Sequence, residues 1–202
     1  MLPAGAAGAR SRSVVRFGHN PAMTLRLLAL IWGFAEATVF FVVPDVLLTA
    51  IAVRDLRAGL IACFLALLGA LAGGVLMYLW AARDHAAAAA LVGQVPAISL
   101  DLMARVTQQL REQGSAAAAI VGAFTGVPYK IYAVQAHTAG ITPEAFAALS
   151  VPARLGRFLL VTLLAGLASR LLAARVTLRW RYGLLVLLWV GFYAAYWSSM
   201  PG

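Results

Sequence analysis

The sequence predicts an all-α, polytopic integral membrane protein with two broken or re-entrant helical hairpins in an inverted repeat. Three observations carry this reading. The 202-residue chain is 63% hydrophobic and 11% charged, with a mean hydropathy of +0.88. Soluble domains run near ~45–50% apolar and ~25% charged. Several apolar runs reach the roughly 20 residues needed to cross a bilayer. Two of these runs are interrupted by proline and carry charged side chains at their middle, as in Ala35 to Thr49, where Glu36, Pro44 and Asp45 sit among apolar neighbours. The length holds one membrane domain, taken as residues 24–202, after a basic tail at 1–23.

The tail carries Arg10, Arg12 and Arg16, no acid, and no apolar core of signal-peptide length. Met23, just before the first apolar segment, offers an alternative start. The first broken segment, 25–53, contains Glu36 and Asp45. A charge at bilayer depth costs about 2.5–3.5 kcal/mol on insertion scales, so such residues face a protein interior or a wet cavity. Pro44 removes a donor and disfavours helix at Val43, which breaks the run. Arg54, Asp55 and Arg57 form a polar turn, and 56–81 is the cleanest span. Its Gly69, Gly73 and Gly74 permit close approach of another helix.

Residues 83–115 are the longest polar connection. Within them Ile98, Leu102, Val106 and Leu110 repeat every four residues, predicting an amphipathic helix over 98–113 at the membrane surface, with Ser99 as its cap. The second broken segment, 116–141, is interrupted at Gly126, Pro128 and Lys130. Spans follow at 155–176, ending in Arg170 and Arg175, and at 182–200, with Trp180, Trp189, Tyr196 and Trp197 as interfacial aromatics. A broken segment followed by a span, twice over, is the pattern of an internal repeat. The charge rule leaves open whether each broken segment crosses or turns back.

The net charge of +9 resides in arginines that flank segments, Arg10 to Arg26 and Arg175 to Arg181. They read as cytoplasmic topology signals and as attractors of anionic lipid, not as a nucleic-acid surface. Cys63 is the only cysteine, and His19, His85 and His137 have no metal-ligand spacing, so neither metal nor cofactor is expected.

The candidate site residues are Glu36, Asp45, Lys130, Arg154, Arg157 and His137, with Pro44, Gly126 and Pro128 as structural breaks. Each has two readings. Glu36 either handles substrate and protons or locks the hairpins together through Arg154. Lys130 is the single lysine among 16 basic residues. Its compact, titratable ammonium suits pairing with Glu36, against chance placement. Asp45 reads best as the cap of the second half-helix. His137, seven residues beyond Lys130, shares its face on a helix as a proton relay or sits as a satisfied interior histidine. Arg154 and Arg157 form a phosphate clamp or snorkel to the interface, and Tyr129 and Tyr132 pack. An assembly factor held by ion pairs, a small-solute carrier, and a membrane-embedded hydrolase using Glu36 and Asp45 as acid and base are the competing classes.

The runs EATVFFVVPDVLL at 36–48, FTGVPYK at 124–130 with Ala139-Gly140, and SVPARLGRF at 150–158 resemble the DedA superfamily, also called SNARE-associated or VTT-domain membrane proteins, in its YqaA-like branch. The likeness spans roughly residues 25–175. The family's Arg-Phe-x-Pro-Gly-x-Arg is altered here, since no glycine follows Pro128 and Lys130 replaces arginine. The resemblance implies two re-entrant hairpins meeting at the membrane centre. It also implies flipping or scrambling of an anionic lipid, with protons as a coupling ion. The essential acids would be Glu36 and Asp45, and the basic residues Lys130, Arg154 and Arg157. A non-enzymatic lipid transporter, with anionic membrane lipids as partners and a homo-oligomer allowed, is therefore expected. The alanine- and arginine-rich composition points to a bacterial inner membrane.

Overall fold

A computed structural model describes residues 21–96, 98–112, 122 and 125–199. All described secondary structure is helical. In chain order the helices are α1 (Pro21–Thr38), α2 (Asp45–Arg54), α3 (Leu56–Arg83), α4 (His85–Gly93), α5 (Leu100–Glu112), α6 (Tyr129–Gln135), α7 (Pro143–Leu172) and α8 (Leu178–Ser199). Most of the basic tail, and the apolar lead of the second broken segment at 116–121, lie outside the described residues.

Local chemistry explains the boundaries. Helix α1 closes where Phe40 N–H reaches back to the Ala35 carbonyl and the Thr38 hydroxyl turns onto Phe34 and Ala35 carbonyls. The chain then runs unwound over 39–43 until Pro44, whose carbonyl accepts the first bond of α2 from Leu48 N–H at 3.0 Å. Asp55 separates α2 from α3 in extended conformation and caps α3 by accepting from Ala58 N–H at 3.0 Å. Asp84 repeats the device for α4, accepting from Ala87 N–H at 3.0 Å. Ser99 caps α5 at Leu102 N–H as expected. In the second broken segment Gly126 adopts φ +83, a conformation open to glycine, immediately before the Val127-Pro128 step into α6.

Helix α3 is the central post, packed by α1, α2, α4, α6 and α7. Its Gly69, Gly73 and Gly74 face α1 and α6. An added Cβ on Gly69 would collide with the Leu30 carbonyl oxygen, on Gly73 it would stand 2.7 Å from that of Phe34, and on Gly74 it would enter the Tyr129 ring. Gly33 of α1 meets the Ala66 backbone just as closely. The small-residue stripe is therefore a seam between the first two long helices.

Helices α3 and α7 are long and apolar enough to cross a membrane. Leucines 160, 163, 164, 167 and 171 of α7 and 184, 187 and 188 of α8 are exposed, an outer apolar surface far beyond scattered single residues.

Several elements differ from expectation, and the last span, expected at 182–200, begins at Leu178. The span placed at 155–176 begins twelve residues earlier, at Pro143, because Thr142 caps it at Ala145 N–H and Pro143 occupies its first turn. Pro152 lies inside the helix with its ring exposed, so it forfeits one hydrogen bond without ending the helix. The connection 83–115 also contains the alanine-rich α4, which packs against α3 and α6.

The seam yields a test. Gly69→Ala should destabilise the protein by roughly 1–3 kcal/mol, as overpacking does. Gly156→Ala, where an added Cβ meets nothing within 4 Å, should stabilise by about 0.5–1 kcal/mol. Thermal unfolding in detergent reads both, and equal effects would contradict the seam.

Candidate functional site

The unwound segment after α1 sets the chemistry of the site. The N–H groups of Val39 and Phe40 still reach the Ala35 carbonyl, but the Phe40 and Val42 carbonyls and the Val43 N–H have no helix partner and must find another. Side chains from three helices supply them. Lys130 of α6 donates from Nζ to the Phe40 carbonyl at 3.0 Å, Trp32 of α1 donates from Nε1 to the Val42 carbonyl at 2.9 Å, and Val43 N–H donates to the Tyr193 hydroxyl of α8 at 3.0 Å.

Around this segment lies a cavity of about 480 Å³, bounded by both helix breaks and by α7 and α8. Five charged side chains line it: Glu36, Asp45, Lys130, Arg154 and Arg157, which is two carboxylates against three cations. Arg154 of α7 pairs with Glu36 of α1, with each side chain 4% exposed. One turn further on, Arg157 Nη2 lies 2.9 Å from Asp45 Oδ2 at the start of α2. The two pairs fasten α7 to both halves of the first broken segment. The Arg154 guanidinium lies over the ring of Tyr129 at 4.7 Å and over that of Phe158 at 4.9 Å. Tyr129 is fixed in turn by donating to Ser150 Oγ at 2.8 Å.

Lys130 is the remainder of this charge count. It is 1% exposed, and no carboxylate lies within ion-pair distance of it among the described residues. A backbone carbonyl offsets only part of the cost of burying an ammonium, so an anion is the chemical complement of the cavity. Arg154 Nε and Arg157 Nε also retain donor capacity, having no hydrogen-bond partner among the described residues.

The structure thus brings Glu36, Asp45, Lys130, Arg154 and Arg157 together with the breaks at Pro44, Gly126 and Pro128. It alters several expected roles. Lys130 does not pair with Glu36, which Arg154 occupies. Asp45 does not cap α2. Pro44 is already helical at φ −59 and ψ −22, no side chain caps that end, and the Asp45 carboxylate faces Arg157 instead. Neither arginine snorkels. His137 is separated from the site because α6 ends at Gln135, so seven-residue spacing no longer means a shared face. It is exposed in the following turn, with its ring edge-on to Tyr78.

Sequence reasoning missed Tyr193 and Trp32 as backbone partners and took Trp189 for an interfacial anchor. Trp189 lines the cavity and donates to Thr49 Oγ1 at 3.1 Å. Trp189, Tyr193, Tyr196 and Trp197 recur at helical spacing and all line the cavity, a pattern readable as one face of α8. Among the described residues no cluster of three or more His, Cys, Asp or Glu side chains is placed to hold a metal.

A scan against protein-family models and searches of curated proteins and solved structures return no match for the chain. The geometry of the site therefore carries the functional reading.

Breaking a buried ion pair strands a charge and costs about 3–5 kcal/mol. Glu36→Gln and Arg154→Met should each lower stability by amounts of that order. The double variant should lose clearly less than the two combined, since neither charge is then stranded. Denaturant unfolding in detergent checks this, and additive losses would contradict direct coupling.

Proposed function

We propose that this chain is a polytopic, multi-pass membrane transporter, similar to DedA-type proteins, that moves an anionic lipid across a bacterial inner membrane. In this reading α1 with α2, and the segment through Gly126 and α6, are two re-entrant hairpins of an inverted repeat. The single observation that carries the proposal is the surplus buried cation, Lys130, in a cavity where every other charge is ion-paired.

Supporting physics comes from length and from backbone satisfaction. Ten residues of α2 rise about 15 Å, half of a ~30 Å hydrocarbon core. Unwound backbone at that depth is tolerated only where protein satisfies it, and Lys130, Trp32 and Tyr193 do so. Prolines 44 and 128 each precede a short helix followed by a long one, an order that supports an internal repeat.

The mechanism follows from the charge count. An arriving phosphate takes the Lys130 ammonium from the Phe40 carbonyl, a weaker neutral acceptor. Loss of that bond loosens the unwound segment, so binding and movement of the break are linked. Arg154 and Arg157 approach the same anion through their uncommitted Nε–H groups. Protonation of Glu36 releases Arg154 for this purpose, which couples a proton to the anion. The acyl chains remain outside, along the exposed leucines of α7 and α8.

An assembly role is distinguished by turnover. In proteoliposomes the wild-type chain should flip a fluorescent phospholipid or a polyprenyl phosphate. Glu36→Gln and Lys130→Ala should each slow flipping at least about tenfold, roughly 1.4 kcal/mol in the barrier, while eluting unchanged on size exclusion. Well-folded wild type inactive on both lipids would overturn the lipid reading. Variants that fold and flip normally would remove the cavity from it.

A further inference from the structure

A second cavity, of about 390 Å³, lies at the other end of the first broken segment, between the start of α1, the end of α2, the start of α3 and Tyr182 of α8. Its floor is apolar, formed by Leu25, Leu47, Ile51 and Ala62 among others, and Arg26, Arg54 and Asp55 are its charged lining. The Asp55 carboxylate is committed to the α3 cap through Oδ1. Neither arginine has a carboxylate partner among the described residues. Tyr182 forms the remaining wall, its hydroxyl donating to the Ala50 carbonyl at 3.2 Å.

This end of the molecule is basic beyond the cavity itself. Ser169 Oγ donates to the Val53 carbonyl at 2.7 Å, and Arg181 Nη1 donates to the Ser169 carbonyl and hydroxyl at 3.1 and 2.9 Å. The Arg170-to-Arg181 turn is thereby tied to the same end as Arg54. A helix-bounded apolar cleft with arginines at its mouth, on the arginine-rich side of a membrane protein, has the composition of a site for an anionic headgroup with its chain attached.

We infer that this cleft holds one anionic phospholipid, its phosphate between Arg26 and Arg54 and one acyl chain along Leu47, Ile51 and Ala62, as a bound lipid distinct from the transported one. The inference rests on the membrane reading above but not on transport. A free phosphate would leave the apolar floor uncovered. The chain's own first twenty residues carry Arg10, Arg12 and Arg16 and no acid, so they share the positive sign of the mouth and offer it no counter-charge. Bound there, the lipid joins α1, α2 and α8 at the end opposite the ion pairs, bracing the broken segment at both ends.

Native mass spectrometry of the full chain, delipidated and incubated with dioleoyl phosphatidylglycerol or dioleoyl phosphatidylcholine, tests this directly. Wild type should retain one phosphatidylglycerol at least about fivefold more than phosphatidylcholine. Arg26→Gln with Arg54→Gln should abolish that preference, and Ala58→Leu, which fills the cleft without altering charge, should abolish retention. Lys130→Ala should keep the adduct, separating this site from the central cavity. Both lipids retained equally by wild type, an adduct unchanged in the arginine variants, or a lipid-free dimer with the cleft covered by a second copy would each overturn the inference. Retention without flipping would overturn only the transport reading.

Discussion

The rest of the structure depends on one constraint: the backbone over 39–43 is unwound, and the Phe40 and Val42 carbonyls and the Val43 N–H, which no helix bond reaches, are met by side chains from three helices. Water would do this cheaply at a surface. Here Trp32, Lys130 and Tyr193 do it, and they come from α1, α6 and α8. Three elements far apart in sequence are therefore drawn to one point. The glycine seam between α1 and α3 makes that convergence possible, because Gly33, Gly69 and Gly73 let the backbones approach closely enough to bring the end of α1 beside α6.

Electrostatics then separates fastening from function. Arg154 and Arg157 lie one turn apart on α7 and reach Glu36 and Asp45 on opposite sides of the break, so each carboxylate is neutralised by its own cation. The rings of Tyr129 and Phe158 hold Arg154 by cation–π contact without adding charge. What remains is Lys130, a buried ammonium on a backbone carbonyl. Its hydrogen bond to Phe40 helps fasten the break, but a neutral donor would serve that end as well, and its charge has no ion-pair partner among the described residues. An anion site needs that charge, and the same bond that satisfies Phe40 is the one an anion would exchange.

Much of this was legible in the sequence, for identifiable reasons. Proline chemistry marked both breaks, and glycine spacing marked the seam. Burial cost singled out Glu36, Asp45 and Lys130 as costly wherever they sat. The partners were less legible. Glu36 and Arg154 are 118 residues apart, and only the fold joins them. The partner of Lys130 is a main-chain carbonyl, which no residue pattern can announce. Asp45 was misread because a local capping rule was applied where Pro44 already continues the helix and a long-range arginine outcompetes the cap. His137 was misplaced by extending helical periodicity past Gln135, and α7 was begun at 155 although Thr142 caps the helix and Pro143 opens it. Tyr193 and Trp189 were hidden by an aromatic helix that reads equally well as an interfacial belt.

The central claim is that Lys130 makes the cavity a site for anions. Its most direct test is the affinity of a soluble short-chain phosphatidic acid, against the matching phosphatidylcholine, followed through the fluorescence of Trp189 in the cavity wall. Wild type should prefer the anionic lipid, and Lys130→Gln should weaken its binding at least about tenfold, or ~1.4 kcal/mol, while leaving the zwitterionic lipid unaffected. Equal affinity of wild type and Lys130→Gln for the anionic lipid would contradict the account.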